Sequence, residues 1–212
     1  MMEARGGKVM SAIMLTLGTD FAILCGETKF CLDTGEVERI KKVHMVKDKL
    51  LYGFTGRNTS AMDFFGKLID ENLEPTSSFD ELTFEQLIDI LDARFEFYRK
   101  HGVENSFDTY AVVCGPIGNQ IWCMEYQIKQ NECKRTPYFA ENDILLVGSF
   151  LEKHQDNYSI NFNDEDIVDE IVNAFQRMIN KGINFDKTIN NEVVAYFINR
   201  GIESAYITQR LR

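Results

Sequence analysis

A 212-residue chain with 44% hydrophobic and 26% charged residues has the make-up of a soluble globular protein of one domain, two at most. Its net charge of −10 argues against binding nucleic acid or an anionic membrane, both of which need a basic surface, and its apolar runs are too short to span a bilayer. The five cysteines are odd in number and form no Cys-x-x-Cys, so they read as reduced thiols in a cytoplasmic protein.

Residues 1–10 are expected to be a leader or a disordered tail, because they lack the apolar run and cleavage site of a signal peptide. Arg5-Gly6-Gly7 can be encoded by a purine run resembling a ribosome-binding site, with Met10 at the distance of a start codon. Initiation at Met10 and its removal would leave Ser11 with a free amine. Residues 11–212 then form one domain.

Ser11–Leu17 and Phe21–Glu27 are short apolar runs around Gly18-Thr19-Asp20, which predicts a hairpin. Arg39–Val46 and Lys49–Thr55 repeat that pattern around a turn at Lys47-Asp48. From Asn58 to Asn72 the period becomes helical, through Met62, Phe65, Leu68, Ile69 and Leu73, with Asn58 or Thr59 as cap. A second helix is predicted over Thr83–Lys100, stopped by Gly102.

Strands return at Thr109–Cys114, Gln120–Tyr126, Lys134–Phe139 and Asp143–Val147. Helices are predicted over Asp164–Asn180 and about Ile189–Asn199, and Glu203–Thr208 reads as a closing strand. Cys25 and Cys114 fall in apolar strand runs and are expected to fill core. The three histidines are far apart and lack metal-site spacing, so neither a metal nor a cofactor is expected.

Strand blocks alternating with helix blocks require two stacked sheets whose outer faces are covered by helices. The fold class is therefore α+β, a four-layer α/β/β/α sandwich. Short connections make its sheets mostly antiparallel.

Certain residues within this order carry a resemblance. Ser11 opens the first strand, Gly26-Glu27 closes the second, and Val37-Glu38-Arg39-Ile40 forms a third segment. Gly53-Phe54-Thr55-Gly56 turns into the first helix, and Leu146-Val147-Gly148-Ser149 ends a later strand. The chain resembles proteasome β-type subunits, and especially the bacterial proteasome-like peptidases of the N-terminal nucleophile hydrolase superfamily. The resemblance covers Ser11 to Gln209 and is strongest over Ser11–Leu73. Family members carry threonine, aspartate and lysine where this chain has Ser11, Glu27 and Arg39.

The resemblance implies an N-terminal nucleophile hydrolase that cleaves peptide bonds inside a homo-oligomeric ring, on peptide or protein substrates, with an ATP-dependent unfoldase as a possible partner. Ser11 would be the nucleophile, with its own α-amine (pKa about 7.7–8.0) as base. A neighbouring cation would lower both pKa values. Arg39 would supply that charge from a rigid fork but stays protonated. Glu27 would pair with it, and its extra methylene could shift the pair by about 1 Å, which can cost about 100-fold in rate. The Gly56 N–H would stabilise the oxyanion, a contribution of roughly 3 kcal/mol. Ser149 would hydrogen-bond the amine, and Glu192 is the candidate late supporting acid. Two other readings share the fold: an inactive structural or partner-binding ring subunit, and an amidohydrolase acting on a small amide.

Overall fold

The computed structural model describes residues 12–31, 37–104, 107–141, 145–148, 167–183, 192–199 and 206–207. The first hairpin forms as expected, from β1 (Ile13–Leu17) and β2 (Phe21–Glu27). Both strands are almost wholly buried, which is why they read as continuous apolar runs rather than as alternating ones. A short ribbon follows, β3 (Lys29–Cys31) against β4 (Val37–Arg39). Then come β5 (Val43–Val46) and β6 (Leu50–Gly56), joined through Lys47 and Asp48. Those two residues have φ of 44° and 55°, the left-handed pair that a tight hairpin needs.

The helical block consists of α1 (Asn58–Phe65), a 3-10 turn over Gly66–Leu68, the short α2 (Ser77–Asp80) and the long α3 (Phe84–His101). Neither Asn58 nor Thr59 caps α1. The cap position is Arg57, without a side-chain bond, and its N–H donates to the Asp108 carbonyl at 3.1 Å. The capped helix is α3. Thr83 Oγ1 accepts from the Gln86 N–H at 3.3 Å, and Gln86 Oε1 accepts from the Thr83 N–H at 2.9 Å. This reciprocal box satisfies two donors that the first turn would otherwise leave free. Thr83→Ala is expected to cost about 1 kcal/mol, read as a lower urea midpoint at unchanged slope.

The meander β7 (Asp108–Ile117), β8 (Gln120–Lys129) and β9 (Glu132–Phe139) completes one sheet, in the order β5-β6-β7-β8-β9. The other sheet adds β10 (Leu145–Gly148), β11 (Val193–Asn199) and β12 (Tyr206–Ile207), in the order β10-β1-β2-β11-β12. Every strand pairing in the two sheets is antiparallel. The helix α4 (Ile167–Ile183) lies between β10 and β11 in sequence.

One predicted element changes type. In the described part of the helix expected over Ile189–Asn199, the chain instead forms the strand β11. Val193, Val194, Tyr196, Phe197 and Ile198 are branched or aromatic, and they sit between β2 and β12 with both faces covered. A central strand of this kind lacks the alternation that would have marked it.

Three apolar clusters define the four layers. Phe64, Phe65, Leu87, Leu91 and Phe95 of the helices pack on Tyr52, Phe54 and Tyr126 of the second sheet. Ile13, Leu15 and Leu24 face Val43, Leu51, Val112 and Cys114 between the sheets. Ile171, Phe175 and Met178 of α4 cover Met14, Ile23, Cys25 and Ala195. Cys25 and Cys114 are fully buried core residues, as expected, and burial pushes the Cys25 thiol up to about 12. Among the described residues, no helix is long and apolar enough to cross a membrane.

Candidate active site

The two sheets meet closely at one end. A Cβ on Gly26 would lie 2.7 Å from Val43 Cγ1, so β2 comes this near β5 only because position 26 has no side chain. That contact sets Glu27, the last residue of β2, beside Lys42, the residue before β5. The Lys42 ammonium forms a tight ion pair with Glu27 Oε1. Both side chains are buried, 3% and 0% exposed.

The backbone around the pair is fixed on each side. The Glu27 N–H donates to the Ala12 carbonyl at 3.2 Å, and Glu27 lies opposite Val193 in register. The Lys42 carbonyl accepts from the Phe54 N–H at 2.9 Å, and the Thr28 carbonyl accepts from the Ile40 N–H at 2.8 Å. Thr28 Oγ1 donates to Glu192 Oε2 at 3.1 Å, which brings that carboxylate to the same end of the sandwich.

Burial holds the Lys42 ammonium well below the usual lysine range, down to about 7, because its charged form has lost most of its water. The Glu27 carboxylate opposes that shift by favouring the charge. A lysine in this state is both a cation and a group able to exchange a proton near neutrality.

Glu27 is buried at the end of β2 and holds a cation. Gly56 ends β6 with φ of 106°, and a Cβ there would meet the Asp108 carbonyl oxygen at 2.2 Å. Arg39 ends β4 opposite Lys29, and its side chain lies outside the described residues. Ser11 and Ser149 lie outside them too, as do residues 1–10. The cation that the structure sets on Glu27 is Lys42, which the sequence reading passed over.

The sequence held only a partial signal for Lys42: Lys41-Lys42 immediately precedes the apolar run starting at Val43, which marks the pair without saying which lysine turns inward. No group of three or more His, Cys, Asp or Glu side chains able to hold a metal occurs among the described residues.

No family model matches the chain, and no curated protein does. Solved structures do. Anbu (ancestral beta-subunit) from Yersinia bercovieri superposes with a TM-score of 0.62 at 9% identity, over 94% of this chain and 88% of that one. Anbu from Hyphomicrobium sp. strain MC1 gives 0.61 at 9%, over 94% and 88%. A Gly-1 mutant of that Hyphomicrobium protein gives 0.62 at 11%, over 95% and 89%. At these identities the likeness is one of fold alone: two stacked antiparallel sheets covered by helices, superposing on these Anbu structures over most of the chain.

Proposed function

We propose that this chain is a proteasome-like N-terminal nucleophile hydrolase that cleaves peptide bonds within a homo-oligomeric cytoplasmic ring, with Ser11 as nucleophile once its amine is free. One observation carries the reading: Glu27, whose buried carboxylate holds the Lys42 ammonium, bonds through its backbone N–H to Ala12, the residue joined to Ser11. Burying two charges without catalytic use is costly, and an apolar pair would pack as well. A cation beside the chain start supplies what a hydroxyl nucleophile lacks. It lowers the pKa of the amine that takes the proton and of the hydroxyl that attacks.

The roles divide by chemistry. The Ser11 hydroxyl attacks the carbonyl carbon, and its proton passes to the α-amine. Lys42 provides positive charge at the developing alkoxide, and Glu27 holds that ammonium in place. The Gly56 N–H is the candidate oxyanion donor, Ser149 the candidate partner of the amine, and Arg39 a second candidate cation. Glu192, reached through Thr28, is the candidate supporting acid. The likeness to Anbu supports a ring of identical subunits, and an unfoldase that feeds it is the partner such a ring would use.

An electrophile selective for terminal hydroxyl nucleophiles tests the assignment on protein made from the natural gene. The expected result is one covalent adduct per chain, mapped to Ser11 as the first residue, absent in Ser11→Ala and accompanied by peptide hydrolysis. An unlabelled chain that retains residues 1–10 would favour the inactive ring subunit.

A further inference from the structure

We infer that His44, protonated on both ring nitrogens, is a positioning residue for Lys42, working through the backbone of Lys41 and the carboxylate of Glu74. This rests on the reading of Lys42 as the cation of the proposed site. The geometry that carries it is donor and acceptor chemistry. His44 Nε2 lies 3.0 Å from the Lys41 carbonyl oxygen, and Nδ1 lies 3.2 Å from Glu74 Oε2. A carbonyl oxygen and a carboxylate only accept. Both nitrogens must therefore donate, and a ring that donates from both is an imidazolium.

The surroundings agree. The His44 contact is the main reason that the Glu74 carboxyl is held down at about 2, so it is ionised across the neutral range. The His44 ring is 2% exposed and stacks on Tyr52, with centroids 4.7 Å apart and planes 10° from parallel. A cation over an aromatic face is a favourable arrangement. Among the described residues, the titratable groups around it are Lys41 and Lys42 on its own segment and Tyr52 on β6. Glu74 faces it from the loop after the 3-10 turn, and Asp70 of that loop and Tyr196 of β11 are close enough to act on Tyr52.

That loop is itself held. Asp70 Oδ1 accepts from the Asn72 and Glu74 N–H groups, at 2.8 and 3.0 Å. Tyr52 donates its hydroxyl to the Leu73 carbonyl at 2.9 Å, and Leu73 sits at φ of 67°. Glu74 also takes Lys41 Nζ at 3.2 Å. The result is a clamp on two successive carbonyls. The Lys41 carbonyl is held by His44, and the Lys42 carbonyl is held by the Phe54 N–H. With both fixed, the Lys42 side chain leaves the backbone in one direction.

The test reads Lys42 directly, by heteronuclear NMR of protein with carbon-13-labelled lysine, its signal assigned by loss in Lys42→Met. His44→Gln is expected to move the Lys42 titration midpoint upward by about one pH unit, as a neighbouring positive charge is lost and water enters. Glu74→Gln removes a negative charge along with the clamp and is expected to move it upward by less. Peptide hydrolysis should fall at least about tenfold in kcat with KM little changed, the mark of a misplaced group rather than of lost binding. Tyr126→Phe, which removes the hydrogen bond from β8 to Asp92 of α3, serves as the destabilised control. An unmoved midpoint in His44→Gln, or an equal shift in Tyr126→Phe, would overturn the inference. A shifted midpoint in a chain that never hydrolyses peptide keeps the clamp and removes the function it was proposed to serve.

Discussion

Lys42→Met is expected to destabilise the fold by about 3–5 kcal/mol, because it takes away the ammonium that faces a fully buried carboxylate. Glu27→Gln should cost less, since the lysine it leaves already gives up its proton near neutrality, its level held at about 7. The double variant Glu27→Gln, Lys42→Met should recover most of the loss, because removing both charges also removes the cost of burying them. The single variants differ further in their pH dependence. In Glu27→Gln the lysine binds protons more weakly folded than unfolded. Stability is then lowest at acid pH and rises with pH up to the unfolded lysine value. In Lys42→Met the buried Glu27 carboxyl holds its proton more tightly folded than unfolded. Stability is then best at acid pH and falls as pH rises. Urea unfolding of the three proteins at pH 6 and pH 9 decides the matter. Parallel pH slopes, or losses under about 1 kcal/mol, would show that the two side chains do not interact as a buried pair. All three variants should lack peptidase activity, including the double variant in which the fold is restored.

The same pair shows what the sequence made legible and what it hid. The layer order followed from blocks of apolar runs, since Ile13–Leu17 and Phe21–Glu27 can bury two faces only between a second sheet and a helix. The acid at the end of β2 was legible because it closes an apolar strand at Gly26, where a small residue permits the sheets to approach. The cation was not. Strand periodicity says which face a residue takes, but residues 40–42 precede β5 without belonging to a strand, so no alternation assigns Lys42 a direction. Only the three-dimensional contact between Val43 and Gly26 brings it inward. β11 failed for a related reason. Its burial on both faces comes from α4, the element before it in the chain, and from the opposite sheet, whose strands are remote in sequence. The His44 clamp was invisible for a third reason: its acid, Glu74, is contributed by a loop 30 residues away.

Gly56→Ala separates backbone conformation from close approach at the candidate oxyanion position. The residue has φ of 106°, a region that costs an L side chain about 1–2 kcal/mol. A methyl group there would also lie 2.2 Å from the Asp108 carbonyl oxygen and 2.9 Å from its carbon. Those atoms are backbone, and the same carbonyl accepts the Arg57 N–H at 3.1 Å, so relieving the clash pulls on the start of α1. Overpacking of this kind adds about 1–3 kcal/mol, for a total of roughly 2–5 kcal/mol. Gly102→Ala supplies the internal standard. It sits at φ of 75° with nothing within 4 Å of the added methyl, so it pays the conformational cost alone. Gly56→Ala should therefore unfold at clearly lower urea than Gly102→Ala. It should also lose peptide hydrolysis at temperatures where it remains folded, because relief of the clash moves the position 56 N–H. Equal midpoints for the two variants would mean that β6 and β7 have room at this turn. The tight join between strand and helix would then no longer explain why position 56 is glycine.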